Sequence, residues 1–269
     1  KEFFKIYVKI GEIEKAKNIF KKNNDIKLGF FMGETFFKSL YFLEANSYFK
    51  NIIDSQSKFE RKEIISMVDC FIITKENQLA LNGIDYLLND EPDDILLNLK
   101  KIDLVLSDTE LLNKDFSFKD VRLKEYYVSK KEYVLKNDYS KYRDFLIINL
   151  KDKNIDDIYN QKILLELIKL EYDNKNYKEV LNQVSKISEK IVNSISPEFK
   201  FLLASSYLNL KDEQKALMEF LKIFYIYPYD NYRVASAIKE VLNIYEKNGD
   251  TEKYQKTLKM FEDKYFKMH

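Results

Sequence analysis

The chain has 269 residues, with 45 basic and 44 acidic side chains and a formal net charge of +1. That balance argues against a dedicated nucleic-acid-binding protein, which would carry a basic surplus on one face. Five glycines and three prolines leave little room for long loops or β-turns, so the composition predicts an almost all-α chain. Because no stretch of about 18 residues is apolar and free of charge, the sequence predicts no membrane-spanning helix.

One spacing of residues recurs along the chain, and it predicts pairs of helices. An aromatic residue is followed nine positions later by a small residue and then by large apolar residues at intervals of four and three. The full pattern occurs at Phe71, Ala80, Ile84, Leu87 and Pro92 and again, 136 residues later, at Tyr207, Ala216, Phe220, Ile223 and Pro228. Partial copies contain Tyr7, Ala16 and Phe20; Phe36, Ala45, Phe49 and Ile52; and Tyr245, Tyr254, Leu258 and Phe261. Weaker copies contain Tyr133, Tyr142 and Leu146, and Val180, Val184 and Ile187.

The spacing has a direct physical interpretation. Apolar residues three and four apart form one stripe on each helix, and a small residue between the stripes lets two helices approach closely. Gly11 and Gly249 stand where the chain must turn between helices. Pro92 and Pro228 are predicted to end second helices, because proline cannot continue the hydrogen-bond ladder. Ser196 and Pro197 are typical of a helix start.

The segment 95–158 fits the pattern poorly. Between Lys114 and Arg143 it has nine basic and five acidic residues, with seven tyrosine and phenylalanine residues among them. One interpretation is a surface that stacks nucleic-acid bases on aromatic rings and binds phosphates with lysine. The other, which the helical spacing favours, is a helix pair with its aromatic residues inward and its lysines in solvent. The run from Ser107 to Glu110 predicts a capping box that opens a short helix.

The sequence offers no arrangement typical of catalysis, so we predict a protein that is not an enzyme and has no cofactor and no metal. The only histidine, His269, is the terminal residue, and the only cysteine, Cys70, lies on a predicted buried stripe. The acidic residues around Pro92, and the pair Asp156 and Asp157, lack the spacing of a calcium loop. They are better explained as favourable charge near helix N-termini.

The repeated spacing resembles the tetratricopeptide repeat (TPR) family, most clearly at Leu203-Ala204, Tyr207, Ala216, Phe220 and Pro228 and then at Met67-Val68, Phe71, Ala80, Ile84 and Pro92. The family's usual tryptophan is absent, and most of the turns lack glycine. The resemblance implies an all-α, TPR-like α-solenoid of antiparallel helix pairs with an irregular helical segment in the middle. The expected divisions are 1–94 and 159–269 as repeats, the first of them truncated, and 95–158 as the divergent segment.

In such a solenoid the first helix of each pair lines a concave groove. The resemblance therefore implies that partner-binding residues lie on these helices, where they point away from the buried stripe. The candidates are Phe31, Glu34, Phe37, Lys38, Ser66, Asp69, Ile73, Leu202, Ser205 and Asn209. Glu34 and Asp69 are acidic, which disfavours capture of a C-terminal carboxylate of the kind that some family members perform. The apolar candidates Phe37, Ile73 and Leu202 can alternatively serve to pack neighbouring repeats.

Two functions are compatible with this sequence. The first is a non-enzymatic scaffold that binds other proteins or peptide segments, not nucleic acid. For this scaffold the resemblance points to a bacterial cell-envelope or flagellar-motor assembly. The alternative is a peptide-sensing regulatory module whose N-terminal output domain precedes this stretch, since Lys1 already falls within a predicted helix. The lysine- and asparagine-rich composition suggests a bacterial source. The compartment stays open, with the periplasm or envelope favoured and the cytoplasm as the alternative.

Overall fold

The computed structural model describes residues 1–19, 25–150, 157–185, 196–227 and 230–265. Its regular secondary structure is helical throughout these ranges, and no strand occurs within them. The prediction of an all-α chain is therefore confirmed. Several residues of the predicted pattern lie outside the described residues: Phe20, Asp156, Ile187, Pro228 and His269.

The chain divides into two compact units. The first comprises Lys1–Lys131 with the stretch that begins at Glu262, and the second comprises Glu132–Phe261. The division between them falls within the segment 95–158, which the sequence pattern had set apart.

The first unit begins with three helix pairs, followed by single helices. The pairs are α1 (Glu2–Lys9) with α2 (Ile13–Ile19), α3 (Ile26–Lys38) with α4 (Phe42–Lys50), and α5 (Arg61–Ile73) with α6 (Asn77–Asp90). A short 3-10 helix (Ile53–Lys58) precedes α5, and α7 (Ile95–Ser107) follows α6. Helix α8 (Val121–Lys136) begins in the first unit and ends in the second.

The second unit continues with helices in the same style. These are α9 (Tyr139–Leu150), α10 (Ile158–Asp173), α11 (Tyr177–Ser185), α12 (Pro197–Asn209), α13 (Glu213–Ile226) and α14 (Asn231–Lys247). Helix α15 (Thr251–Tyr265) begins in the second unit, and its residues from Glu262 onward belong to the first. Helix α12 packs against α13, α10 packs against α9 and α11, and α13 packs against α14.

Six helix pairs are closed by the same backbone turn. In each, one residue has a positive φ, and its N–H donates to the carbonyl three residues before it. The N–H of the following residue donates to the carbonyl five residues before that residue. At Lys75, for example, the N–H donates to the Ile72 carbonyl at 3.2 Å, and the Glu76 N–H donates to the Phe71 carbonyl at 2.8 Å. This is the Schellman arrangement that ends many helices. The positive-φ residues are Gly11, Leu40, Lys75, Lys175, Lys211 and Gly249.

The turns explain why the aromatic position and the small position stand nine residues apart. In five turns, the carbonyl that accepts the hydrogen bond spanning five residues belongs to the aromatic residue of the pattern. These aromatic residues are Tyr7, Phe36, Phe71, Tyr207 and Tyr245. The N–H of the small residue then donates to the first residue after the turn, as Ala80 does to Glu76 at 3.0 Å. The spacing is therefore the length of a fixed turn, and it holds whether or not glycine is present.

Close helix contacts lie at the small residues, as the pattern predicts. Ala16, Ala45, Ala80 and Ala216 are completely buried. At Gly33 in α3, a methyl group would come within 2.5 Å of the Phe49 ring in α4, and at Gly83 in α6 within 2.6 Å of Val68 in α5. The small side chains thus set the spacing between paired helices, and the large apolar residues fill the space around them.

Polar caps define several helix starts. Ser196 accepts a hydrogen bond from the Phe199 N–H at 3.0 Å with Pro197 in the first turn, so the predicted start of α12 is confirmed. Asp157 caps α10 in the same way. The prediction of a short helix after Ser107 was wrong. Asp108 accepts from the N–H groups of Glu110 and Leu111, and these bonds close a turn instead of extending a helix.

Replacing Lys75 with glycine tests the cost of the turn. A side chain at φ 61° is strained, and glycine removes this strain although it gains more freedom in the unfolded chain. We expect Lys75→Gly to raise the free energy of unfolding by about 0.5–1 kcal/mol. Lys75→Ala, which keeps a Cβ, should change it little. Denaturant unfolding measures both, and equal effects of the two substitutions would contradict the turn as described.

Candidate interaction surface

The first group of candidate residues lies on α3. Phe31 is half-buried, because its ring lies 5.8 Å from that of Phe4 and Lys1 lies over it. The Phe37 ring packs edge-on against Phe42 at 5.7 Å. These two aromatic residues therefore contribute to packing within the first unit, one against α1 and the other against the start of α4.

The charged candidates on α3 lie closer to solvent. Lys38 is exposed, and its ammonium group lies 2.8 Å from the Glu34 carboxylate one helical turn earlier. Exposed pairs of this kind contribute little to stability, so both groups can exchange this contact for a partner at small cost.

The second group lies on α5 and is linked to α7. Asp69 accepts a hydrogen bond from the Lys100 ammonium at 2.6 Å, which ties the two helices together. Ser66 and Ile73 are half-buried on the same helix. Lys100 thus compensates part of the negative charge of Asp69. Asp69 is therefore a weaker argument against an anionic partner than the sequence implied.

The third group lies on α12 in the second unit. Leu202 packs against the apolar core formed around Ile168, Val180 and Phe199. Ser205 is buried, whereas Asn209 is exposed and donates from its side-chain amide to the Ser205 carbonyl at 2.9 Å. Burial raises the pKa of Tyr172. Leu202 therefore packs α12 against α10 and α11, which is the packing alternative that the sequence left open.

The aromatic and basic residues of the central segment have partners within the protein. Tyr126 and Tyr127 are buried in the first unit, and each receives a hydrogen bond from the lysine four residues later. Lys130 also donates to Asp103 at 2.7 Å. This arrangement agrees with the helical interpretation, in which the rings face inward, and it leaves these rings unavailable for stacking on bases.

The second unit contains a buried carboxylate that the sequence analysis missed. Glu171 is only 1% exposed. It accepts hydrogen bonds from the Arg143 guanidinium at 2.5 Å, the Tyr139 hydroxyl at 2.7 Å and the Asn176 amide at 2.8 Å. The bond to Glu171 raises the pKa of Arg143, and burial together with the carboxylate raises the pKa of Tyr139.

Glu171 takes the place that an aromatic residue has in the other turns. Its backbone carbonyl accepts a hydrogen bond from the Asn176 N–H at 2.8 Å, which is the bond that spans five residues in the α10–α11 turn. The repeated spacing itself could have identified Glu171. When its aromatic position is placed at residue 171 and its small position at residue 180, a glutamate falls on a buried stripe. Only a cation from another helix can make such a position tolerable.

Cys70 lies in the core of the first unit. It is completely buried, its Sγ lies 3.7 Å from the Phe42 carbonyl, and burial raises the pKa of the thiol to about 12. The interpretation of Cys70 as a core residue agrees with this environment.

Of the acidic residues, Asp94 and Asp157 cap helix N-termini as predicted, whereas Asp90 and Glu91 lie at the C-terminal end of α6, so the prediction was wrong for these two. Asp94 accepts from the Leu97 N–H at 2.8 Å and pairs with Arg61, while Asp157 caps α10. Within the described residues, no three histidine, cysteine or acidic side chains stand where they could hold a metal ion together. None of the helices in these ranges has the length and apolar character required to cross a bilayer.

The comparisons with known proteins add no relationship. No protein-family model matches the chain, and no curated protein matches it significantly.

Breaking the Glu171 cluster should destabilise the second unit. Arg143→Gln leaves a buried carboxylate without its cation, and we expect the free energy of unfolding to fall by about 3–5 kcal/mol. The control is Arg122→Gln, because Arg122 pairs with its neighbour Asp120 near the surface, where such a pair contributes at most about 1 kcal/mol. Equal losses in the two variants, measured by thermal or denaturant unfolding, would be inconsistent with the buried cluster.

The Cys70 thiol should resist chemical labelling in the folded protein. With a pKa near 12, almost none of the thiol is ionised at neutral pH, and burial also blocks the reagent. We expect labelling by a maleimide to be slow in buffer and complete within minutes in denaturant, as mass spectrometry can show. Fast labelling of the folded chain would mean that α5 separates readily from the start of α4, where the Phe42 carbonyl lies against the thiol.

Proposed function

We propose that this protein is a non-enzymatic interaction module whose helix pairs stack in a TPR-like manner and bind other proteins through their first helices. The observation that carries the proposal is the turn shared by six helix pairs. A repeated turn of fixed geometry orients each pair alike, and stacked pairs of this type form extended binding surfaces.

Contacts between successive first helices support the proposal in each unit. In the first unit α1 contacts α3, and in the second unit α10 contacts α12, which contacts α14. Ion pairs connect the same helices. Lys27 on α3 lies 2.9 Å from Glu63 on α5, and Glu198 on α12 receives Lys169 from α10 at 3.1 Å and Arg233 from α14 at 2.8 Å. These links favour a continuous row of first helices within each unit.

The candidate residues contribute to this surface in different ways. We assign partner contacts chiefly to Lys38 and Asn209, which are exposed, and also to Glu34 on α3 and Ile73 on α5, which are half-buried. Phe31 and Leu202 are assigned to packing, since their contacts lie within their own units. We also propose that the protein belongs to a bacterial cell-envelope or flagellar-motor assembly. Identification of its partner tests this placement.

Site-specific photocrosslinking tests the proposal. A photoreactive amino acid is placed at position 38 or 209 on first helices, or at the control positions 43 or 218, where Leu43 and Met218 are exposed on second helices. After irradiation in the source cells, mass spectrometry identifies what is attached. We expect one protein partner to be captured from positions 38 and 209, and at most weakly from 43 and 218.

Two results would count against the proposal. Equal capture from both kinds of helix would mean that the first helices are not the binding surface. Capture of nucleic acid in place of protein, with a steep dependence on salt, would favour a different function.

A further inference from the structure

An open cavity of about 420 Å³ lies at the turn end of the second unit. It is bounded on one side by the turn between α10 and α11. On the other side it is bounded by Leu210, the residue that directly follows α12. Its lining residues are Lys175, Asn176, Tyr177, Lys178, Glu179 and Leu210. None of these was singled out by the sequence pattern, although the exposed candidate Asn209 directly precedes Leu210.

The charge left uncompensated at this cavity is positive. Glu179 lies 3.7 Å from the Arg143 guanidinium and accepts the Gln183 amide at 2.5 Å, so its carboxylate already has partners. Lys175 and Lys178 are exposed, and within the described ranges neither makes an ion pair. Lys211, next to Leu210 and also exposed, adds a third such cation at the following turn.

The walls of the cavity are held in place before any partner arrives. The Lys175 N–H donates to the Tyr172 carbonyl at 2.9 Å, which fixes the turn. The Asn176 amide donates to Glu171 at 2.8 Å, and the Tyr177 ring packs edge-on against Tyr172 at 5.4 Å. A preformed surface loses little entropy when a partner binds.

We propose that this cavity docks an acidic segment of a partner protein. Carboxylates of the segment would pair with Lys175 and Lys178, and an apolar side chain between them would lie against Tyr177 and Leu210. Charge complementarity selects this occupant, because neither cation at the rim forms an ion pair with any residue that the structure describes. The inference rests on the proposed role as an interaction module and names the chemistry of one partner segment.

Fluorescence anisotropy with a defined probe tests the docking of an acidic segment. The probe is a fluorescein-labelled decapeptide of alternating glutamate and alanine with one central leucine, and its analogue has glutamine at every glutamate position. Both are titrated with the full chain at low salt, where attraction between exposed charges is least screened. We expect the glutamate peptide to bind more tightly than the analogue, and binding to weaken as salt is added.

Paired lysine substitutions locate the binding. The variant K175Q/K178Q should bind the glutamate peptide about threefold to tenfold more weakly, the range expected for two exposed charge pairs. The matched control K239Q/K256Q removes two exposed lysines of the same unit that lie away from the cavity and should bind like the unaltered chain. Unchanged melting temperatures show that neither variant disturbs the fold.

Several outcomes would overturn the proposal. Equal binding of the two peptides, or equal loss in the two variants, would mean that the cavity does not recognise carboxylates. Displacement of the peptide by inorganic phosphate at constant ionic strength would indicate a small-anion site, and tighter binding of a ten-nucleotide single strand would indicate nucleic acid. Position 38 lies in the first unit and the cavity in the second, so a failure here leaves the crosslinking test from position 38 intact.

Discussion

The hydrogen bond from the residue after each turn to a carbonyl five residues earlier is the interaction on which the helix pairs depend. It ends the first helix, reverses the chain and fixes where the second helix begins, all within two residues. Because the backbone groups make this bond, the turn accepts leucine or lysine as well as glycine, at the cost of a positive φ. Burial of the paired faces must offset that cost, as it does around Ala80 and Ala216.

A second constraint operates where apolar packing gives way to charge. The contact of α9 with α10 depends on Glu171 and on Glu166, which lies 2.8 Å from Lys162 and accepts the Tyr142 hydroxyl at 3.4 Å. Buried ionic clusters of this type contribute less to net stability than apolar contacts of the same size, but they tolerate few alternative arrangements. The second unit therefore combines adaptable apolar contacts among α10, α11 and α12 with a demanding polar contact at α9.

The sequence predicted the helical class and the helix pairs because both rest on local spacing. Tyr207 and Ala216 lie nine residues apart in a turn of fixed length, and such periodicity is visible without knowing the partners of each side chain. The roles of individual candidates were harder to predict. Leu202 and Asn209 occupy the same helix, and only the position of neighbouring helices shows that one faces the core and the other faces solvent.

Most of the remaining misses have the same cause, which is that contacts distant in sequence leave no local signal. The turns at Lys75 and Lys175 are a different case, because their hydrogen bonds are local but lysine, unlike glycine, does not indicate a positive φ. No residue near Glu171 in the sequence indicates that its partner is Arg143, which lies 28 residues earlier. The cavity beside Lys175 was likewise invisible, because its other wall, Leu210, belongs to a different helix pair.

Glu171 also limits how this chain can be rearranged by recombination. Repeats closed by the same turn can in principle be duplicated, deleted or exchanged, because each one brings its own apolar stripe. The α10–α11 pair is an exception, since moving it without α9 would carry a carboxylate into a core and leave its arginine behind. Any duplication or deletion of helix pairs in this chain must therefore keep α9, α10 and α11 together, whereas the pairs built around Ala45 and Ala80 do not depend on a buried carboxylate of this kind.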